Sequence, residues 1–330
     1  MFSSMTDPLL SMRGLTVRFP TPSGPLEAVR GVDLDIAPGE VIALVGESGS
    51  GKSALARGLL RLNQTPFSRQ PAEIGGAAWL RMVEGAMDLV AAPEAALRDV
   101  RARHVAMIFQ DALSALNPVM RVGRQIEEAI ARRCPKMSAE DCRRRATDLL
   151  ADVGLDDGAR HARAYPHQLS GGQRQRVMIA IAMAREPALL IADEPTTALD
   201  VTVQARVLAQ LRALRQRHGM AMLFITHDLS LVPRLADRVA VMYAGRLVEI
   251  GPADTVFVTP RHPYTRGLLD SRPGYRRRGA GLTGTAPDPR ALPTGCAFAP
   301  RCPQASLECA APLAMREGVR CLRPLQGAAK

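Results

Sequence analysis

The residues with the most definite chemistry form the segment "GESGSGKS", Gly46 to Ser53. It fits the pattern G-x-x-x-x-G-K-[ST], whose backbone N–H groups surround phosphate oxygens while the lysine reaches the outer phosphates and the hydroxyl binds Mg²⁺. An apolar segment precedes the loop and an amphipathic one follows it, which predicts a strand, the loop, and a helix whose N-terminus attracts anions. The candidate phosphate-binding residues are Gly46, Ser48, Gly49, Ser50, Gly51, Lys52 and Ser53.

Two consecutive acids, Asp193 and Glu194, end a second apolar segment, "LLIADEP". An aspartate at the carboxyl end of a core strand near a phosphate loop is the expected anchor for Mg²⁺. A carboxylate one residue later can orient and deprotonate a water that attacks the terminal phosphate. The alternative is that both acids stabilise the N-terminus of a following helix. Gln110 and His227 also end apolar segments. A lone histidine at such a position is more often a hydrogen-bonded structural residue than a catalyst, and a glutamine there is usually polar surface.

The segment "LSGGQRQR", Leu169 to Arg176, has no acid and no obvious nucleophile. Its glycines permit close approach by another molecule, and the helix that it opens would attract an anion. The segment alone does not say on what it acts.

The elements that must position these residues follow from the hydrophobic pattern. Alternating residues over 15–19 and 26–36 predict an antiparallel hairpin. The buried-strand segments 41–45, 188–194 and 221–228, separated by helical patterns, predict a parallel α/β sheet. Charged amphipathic helices between Asp111 and Ser170, one of them capped by Ser138, predict an inserted helical subdomain.

Composition limits the classes of protein to which the chain can belong. It has 330 residues, 47% of them hydrophobic, and a formal charge of +11. The basic charge is compatible with nucleic acid, an anionic membrane surface or a polyanionic ligand. No segment has the 18 consecutive apolar residues of a membrane span, and the first residues do not resemble a signal peptide, so we expect a cytoplasmic chain.

Taken together, the phosphate loop, Gln110, "LSGGQ", "LLIADEP", "TALD" and "THD" resemble the ATP-binding cassette (ABC) ATPases over roughly residues 12 to 258. The resemblance implies an α/β, RecA-like phosphate-loop NTPase core with an antiparallel β subdomain, an inserted helical subdomain and a loop-rich C-terminal extension. It implies a core over 1–110 and 170–258, helices over 111–169, and the extension over 259–330.

The resemblance also implies a role for each matching residue. Glu194 would be the catalytic base, His227 the switch histidine on the γ-phosphate, and Gln110 the residue that senses Mg²⁺ and the attacking water. Ser53, Gln110 and Asp193 would surround Mg²⁺, and Phe19 would stack on adenine, although a core role for Phe19 is nearly as compatible with its spacing. The remaining residues would contact the partner subunit or its nucleotide: Ser170, Gly171, Gly172, Gln173 and Asp200. Two chains would therefore form each ATP site, and one chain alone would hydrolyse ATP slowly.

Four segments are similar to the dipeptide, oligopeptide and nickel importer ATPases within this family: "ESGSGKS", "IFQDALSALNP", "DEPTTALDVTVQ" and "HPYTRGLLDSRP". The similarity implies a peripheral subunit on the cytoplasmic face of the inner membrane, with a homologous second ATPase, two permease subunits and an extracytoplasmic binding protein as partners, and no nucleic acid. Peptides are the expected cargo; nickel, glutathione and oligosaccharides are the alternatives. A soluble ABC ATPase that acts on nucleic acid is the alternative from another class.

Four of the six cysteines, Cys296, Cys302, Cys309 and Cys321, lie in the last 35 residues with the spacing C-x5-C-x6-C-x11-C. Four thiolates in a proline-rich segment can enclose a metal, although the C-x2-C pairs of most zinc sites are missing. Similarity to the peptide-importer ATPases implies a [4Fe-4S] cluster that holds the extension together. Zinc and unliganded thiols are the alternatives.

Overall fold

The computed structural model describes residues 7–64, 71–196, 201–271 and 282–326. The chain divides into two compact units. The first comprises the described parts of Met1–Ile36, Val41–Ala91 and Ile225–Lys330, and the second comprises Ala37–Glu40 and the described parts of Ala92–Phe224. No helix in the described ranges is both long and apolar enough to cross a bilayer.

An antiparallel sheet forms the N-terminal part of the first unit. Its strands are numbered in chain order, and across the sheet they lie in the order β2 (Leu26–Ile36), β1 (Leu10–Phe19), β4 (Glu73–Met82) and β5 (Gly85–Asp88). The pairing of β1 with β2 confirms the predicted hairpin. Strands β4 and β5 were not predicted, because the two glycines and two alanines in the middle of β4 leave little apolar alternation.

The first unit also holds the strand that leads into the phosphate loop. Strand β3 (Val41–Val45) is buried at every residue and runs parallel to β9 (Arg238–Tyr243), which pairs antiparallel with β10 (Arg246–Pro252). Helix α1 (Lys52–Leu59) follows the loop. The predicted order of strand, loop and helix is confirmed.

The second unit is built on short, fully buried strands. Strand β6 (Val105–Ile108) runs parallel to β7 (Leu189–Asp193), and β7 has β8 (Ala221–Thr226) as its other neighbour. Helix α2 (Glu94–Arg103) precedes β6, and α8 (Val201–His218) connects β7 to β8. The strands alternate with helices, as the hydrophobic pattern predicts, and the α/β fold class is confirmed.

Between β6 and β7 the second unit is helical. The helices are α3 (Ala112–Ala115), α4 (Val122–Arg133), α5 (Ala139–Asp152), α6 (Gly158–Arg163) and α7 (Gly171–Met183). The predicted cap of α5 is present, since the Ser138 hydroxyl accepts a hydrogen bond from the Asp141 N–H at 3.1 Å. Buried residues on one face of α4 and of α5 pack these helices together, which is the usual source of helix stability in a subdomain of this size.

The C-terminal extension belongs to the first unit and has little regular structure. Helices α9 (Ala253–Val258) and α10 (Pro263–Asp270) are followed in the described part of the extension by single 3₁₀ turns. Tyr264 and Phe298 are buried and pack against each other and against Tyr243 at the end of β9 in tilted and edge-to-face contacts, with ring centroids 4.4 to 5.4 Å apart. Such aromatic contacts bury large apolar areas, so they hold a segment that is otherwise poor in core residues.

A buried polar pair fixes the start of α10. The Glu249 carboxylate on β10 accepts hydrogen bonds from the backbone N–H groups of Arg261 (2.7 Å) and His262 (2.9 Å). The His262 ring caps α10, because its Nδ1 accepts from the Tyr264 N–H at 3.0 Å. Burial lowers the pKa of His262 to about 4, so the imidazole is neutral in the folded protein at pH 7.

This neutral histidine predicts an acid-sensitive extension. Below its ordinary pKa of 6.5 the unfolded chain takes up a proton at residue 262 that the folded chain does not, so stability falls as the pH falls. The variant His262→Asn keeps a capping oxygen but cannot titrate in this range. Between pH 7 and pH 5 we expect the free energy of opening of α10 to fall by about 2 kcal/mol more in the native chain than in this variant. Hydrogen–deuterium exchange measures this free energy.

The exposed His218, at the end of α8, provides the control. His218→Asn leaves the pH dependence of α10 as it is in the native chain. An identical pH dependence in the native chain and in His262→Asn would contradict the assignment.

Candidate nucleotide-binding site

The phosphate loop passes so close to its neighbours that two positions can only be glycine. A Cβ atom at Gly46 would lie 2.2 Å from the Met242 carbonyl oxygen, and one at Gly51 would lie 2.2 Å from the Ala28 carbonyl oxygen. Gly51 also has φ 105°, a conformation that other residues rarely adopt. The loop is therefore fixed against β2 on one side and the end of β9 on the other.

Lys52 lies inside the loop rather than in solvent. Its side chain is buried, and Nζ donates to the carbonyl oxygens of Gly46 (2.9 Å) and Glu47 (2.8 Å) and to the Ser50 hydroxyl (3.3 Å). The ammonium is thus held at the centre of the loop, where it can exchange these oxygens for those of a phosphate. Ser53, half-buried in the first turn of α1, lies at a helix N-terminus with no acidic residue to compete with an anion.

A pocket opens beside this loop within the first unit. Its lining comprises β2 and the phosphate loop, the turn after β9, and part of the extension: Leu26, Glu27, Ala28, Glu47, Ser48, Gly49, Ser50, Tyr243, Ala244, Gly245, Ala286, Pro287, Asp288, Pro289 and Leu292. The phosphate loop provides polar lining, leucine, alanine and proline residues provide apolar lining, and Glu27 and Asp288 are acidic lining residues outside the loop. Phe19 is half-buried and is not among these residues, so its stacking on adenine stays a prediction.

The acidic pair lies in the second unit at the end of β7. Asp193 is fully buried, and Glu194 is half-buried with a left-handed backbone at φ 47°. Gln110 follows β6 and donates from Nε2 to Glu194 Oε2 at 3.0 Å. A strained backbone at a carboxylate is typical of functional sites, and the amide holds that carboxylate in one orientation. His227 is exposed directly after β8, in the first unit.

The segment "LSGGQRQR" opens α7, and its serine caps that helix. Ser170 Oγ accepts from the Gln173 N–H at 3.3 Å, while the Ser170 N–H donates to the Gln173 side chain at 2.9 Å. The exposed hydroxyl keeps its own proton to donate to another group. A Cβ atom at Gly172 would lie 2.8 Å from Val203, whereas one at Gly171 would meet no atom within 4 Å. Packing thus explains the second glycine, and the first leaves open space for a ligand. Asp200 lies outside the described residues.

The four cysteines of the extension line one small cavity together with His262 and neighbouring residues. Burial raises the pKa of Cys296, Cys302 and Cys321, and the neighbouring thiols raise it further. Nevertheless, within the described ranges no group of three or more His, Cys, Asp or Glu side chains is placed to hold a metal ion. The expected [4Fe-4S] cluster is therefore not supported by a preformed set of ligands.

The extension contributes two residues near the loop that the motifs did not indicate. Tyr264 Oη accepts from the Glu47 N–H at 2.8 Å, and Arg301 forms an ion pair with the Glu47 carboxylate at 2.8 Å. No local pattern could have found this contact, because Arg301 is 254 residues from Glu47 in the sequence.

Comparison with family models gives two matches. Residues 29–197 match the ABC transporter model, and residues 248–309 match the model of the C-terminal region of oligopeptide and dipeptide transporters. A "Putative peptide import ATP-binding protein" of Brucella abortus (strain 2308) is 47% identical over 313 residues, which cover 94% of this chain and 92% of the relative. A protein of the same name from Brucella melitensis biotype 1 is 46% identical over 333 residues, covering 96% and 97%.

Solved structures with a similar fold are ATP-binding cassettes. The dimeric, post-hydrolysis cassette MJ0796, bound to ADP and Pi, superposes with a TM-score of 0.64 at 26% identity and covers 74% of this chain and 98% of its own. The cassette cbiO1 from Clostridium perfringens, part of the transporter complex cbiONQ, gives a TM-score of 0.60 at 26% identity, covering 76% and 91%.

Gly51 and Gly49 of the phosphate loop give a matched test, because an added Cβ atom would overlap a neighbour at Gly51 but not at Gly49. Gly51→Ala places a methyl group against the Ala28 carbonyl, whereas Gly49→Ala, also at positive φ, meets no atom within 4 Å. We expect Gly51→Ala to abolish nucleotide binding, measured by isothermal titration calorimetry with ATP. Gly49→Ala carries only the backbone strain of about 1 to 2 kcal/mol and retains binding with reduced affinity. Equal affinities for the two variants would contradict this account of the loop.

Proposed function

Since the chain belongs to the ABC transporter family, we propose that it is the ATP-hydrolysing subunit of a membrane importer for peptides. The observation that carries the proposal is the presence in one chain of a closed phosphate loop and a C-terminal region of the oligopeptide and dipeptide transporter type. Relatives named for peptide import, similar along more than nine tenths of the chain, support peptides as the cargo. Nickel, glutathione and oligosaccharides are the alternative cargoes.

The residues at the site suit a magnesium nucleotide. Lys52 and the loop N–H groups bind the phosphates, while the oxygens of Ser53 and Asp193 are the hard donors that Mg²⁺ prefers. The carboxylate of Asp193, at the end of β7, supplies an oxygen donor of this kind. When bound, Mg²⁺ neutralises charge on the phosphates.

Hydrolysis then depends on the pair at the end of β7. Glu194 takes the proton of the attacking water, and Gln110 holds the Glu194 carboxylate in place through the hydrogen bond between them. His227 contacts the γ-phosphate. Phe19, whose backbone pairs with that of Leu26 in the pocket lining, would stack on the adenine ring, and Asp200 would contact the second ATPase subunit.

The open space at Gly171 and the free proton of Ser170 support a ligand that comes from another chain. We propose that Ser170, Gly171, Gly172 and Gln173 contact the γ-phosphate bound by a second, homologous ATPase subunit. ATP then holds the two chains together, and hydrolysis at Glu194 releases them. The dimeric state of the MJ0796 cassette supports such pairing.

Within a transporter, this chain would also contact the membrane-embedded permease subunits. The helical subdomain over 111–169 and the Gln110 region would bind two permease subunits at the cytoplasmic face of the inner membrane. An extracytoplasmic binding protein would deliver the peptide. We expect the two ATPase subunits to be different chains. Within this chain, the nucleotide-binding core would comprise residues 1–110 and 170–258, and the extension would comprise residues 259–330.

A [4Fe-4S] cluster in the extension is part of this proposal. Four thiols line one cavity without forming a site for a single ion. Cys296, Cys302, Cys309 and Cys321 would hold the cluster, because four cysteine thiolates are the usual ligands of [4Fe-4S] clusters. The cluster would cross-link a segment with little apolar core.

Substitution of the proposed base tests the chemistry. Glu194→Gln keeps an oxygen that can accept the Gln110 hydrogen bond but cannot take a proton, so we expect ATP turnover by the assembled transporter to fall at least about a hundredfold while ATP binding persists. The control is Glu186→Gln, because Glu186 also has a left-handed backbone (φ 46°) and is exposed. Normal turnover in Glu194→Gln would exclude Glu194 as the base.

Metal content tests the cluster. We expect the anaerobically purified chain to contain iron and acid-labile sulfide in equal amounts, with a visible absorbance band that Cys309→Ser removes. The control, Cys134→Ser, alters a cysteine at the end of α4 and leaves the band unchanged. One zinc per chain, or no metal, would contradict the cluster.

A further inference from the structure

The extension reaches the phosphate loop through a charged contact that has no part in the phosphate-loop motif. Arg301 Nη1 donates to Glu47 Oε2 at 2.8 Å, and Arg301 Nη2 donates to Glu47 Oε1 at 3.0 Å. The Arg301 side chain is 6% exposed and that of Glu47 is 29% exposed. A two-bond arginine–carboxylate pair of this kind fixes both position and orientation.

The arginine is itself held rigidly. Nε donates to the Thr283 carbonyl at 2.8 Å, and Nη1 also reaches the Tyr243 hydroxyl at 3.2 Å. The guanidinium carbon lies 5.7 Å from the ring centre of Phe298. The contact with Glu47 raises the pKa of Arg301 above its ordinary value, so the charge is permanent. Little side-chain freedom is left to lose when the pair forms, which favours a strong interaction.

A second contact from the extension acts on the same loop residue. The buried Tyr264 hydroxyl accepts from the Glu47 N–H at 2.8 Å, and the Glu47 carbonyl accepts from Lys52 Nζ at 2.8 Å. Both the backbone and the side chain of Glu47 are therefore held by the extension. Because Lys52 donates to the carbonyl oxygens of Glu47 and of the preceding Gly46, a displacement of Glu47 displaces the lysine that binds phosphate.

The extension also forms one wall of the pocket beside the loop. Pro287, Pro289 and Leu292 line a pocket together with the phosphate-loop residues 47–50. Its lining also includes apolar residues of β2 and of the turn after β9, and two acidic residues outside the loop, Glu27 and Asp288. A nucleotide also combines apolar and polar surfaces, since its base is largely apolar on its faces and its phosphates are charged. This wall therefore lies where a base would contact it when the phosphates occupy the loop.

We propose that the C-terminal extension is a structural part of the nucleotide site: Arg301 and Tyr264 are positioning residues for the phosphate loop, and the segment 286–292 contacts the nucleotide base. The inference rests on the proposed ATPase function and adds a role for the extension in nucleotide affinity. The turn that carries Arg301 lies between Cys296 and Cys302, so the cysteine segment and the phosphate loop are mechanically connected.

The test of the ion pair measures KM for ATP in the assembled transporter. Arg301→Gln and Glu47→Gln each break the pair from one side, and we expect each to raise KM about tenfold, with most of the loss in kcat/KM lying in KM. The double variant is no worse than either single one, because the two residues act through one contact. Arg323→Gln is the control, since Arg323 forms an exposed ion pair with Glu308 in the same extension.

The test of the pocket wall compares ligands with and without a base. Leu292→Ala weakens the binding of ATP but not that of inorganic tripolyphosphate in isothermal titration calorimetry of the full chain, whereas Arg301→Gln weakens the binding of both. Hydrogen–deuterium exchange in α10 checks that the extension of each variant is folded.

Unchanged KM values in Arg301→Gln and Glu47→Gln, or effects that add in the double variant, would overturn the role of the pair. Equal losses of ATP and tripolyphosphate binding in Leu292→Ala would overturn the role of the wall. If the variants give these results but the native transporter hydrolyses ATP normally, the proposed function remains intact. A native transporter without ATP hydrolysis would instead contradict the proposed function itself.

Discussion

The closeness of the phosphate loop to its two neighbouring segments is the constraint on which the rest of the site depends. Because a side chain at position 46 or 51 would overlap a carbonyl oxygen of Met242 or Ala28, the loop is held in one path between β2 and the end of β9. That path directs the carbonyls of Gly46 and Glu47 inward, where they hold Lys52. The binding of phosphate is therefore a property of how the first unit packs and not of the lysine alone.

The second unit fixes the position of the acidic pair Asp193 and Glu194. The Glu194 backbone adopts a conformation that costs on the order of 1 kcal/mol for a residue other than glycine, and Gln110 holds the carboxylate at its end. Such strain persists only where the surrounding structure compensates for it. Within this unit β7 is buried at every residue, so packing of its apolar side chains fixes the position of the acidic pair.

Features within one short segment could be predicted from the sequence, whereas contacts between distant segments could not. The phosphate loop was predictable because each residue type in it has a separate physical role, and the cap of α5 because serine followed by an acid is a local signal. The pairing of β9 with β10 was not identified, since the segment lacks a clear alternation of apolar and polar residues.

The ion pair of Arg301 with Glu47 joins residues 254 positions apart, and only the fold of the extension brings them together. The cysteine spacing indicated four thiols near one another, which the shared cavity bears out, but the spacing carries no information on what they hold.

ATP hydrolysis by this chain is, in this account, the energy source for peptide import. The most direct measurement is uptake of a labelled peptide into proteoliposomes that contain the chain, its second ATPase subunit and the permease pair, oriented so that the binding protein is added outside and ATP is enclosed inside. We expect uptake that requires both ATP and the binding protein and that ceases when Glu194 is replaced by glutamine. ATP hydrolysis without peptide accumulation, or hydrolysis stimulated by DNA in the absence of the permease, would contradict it.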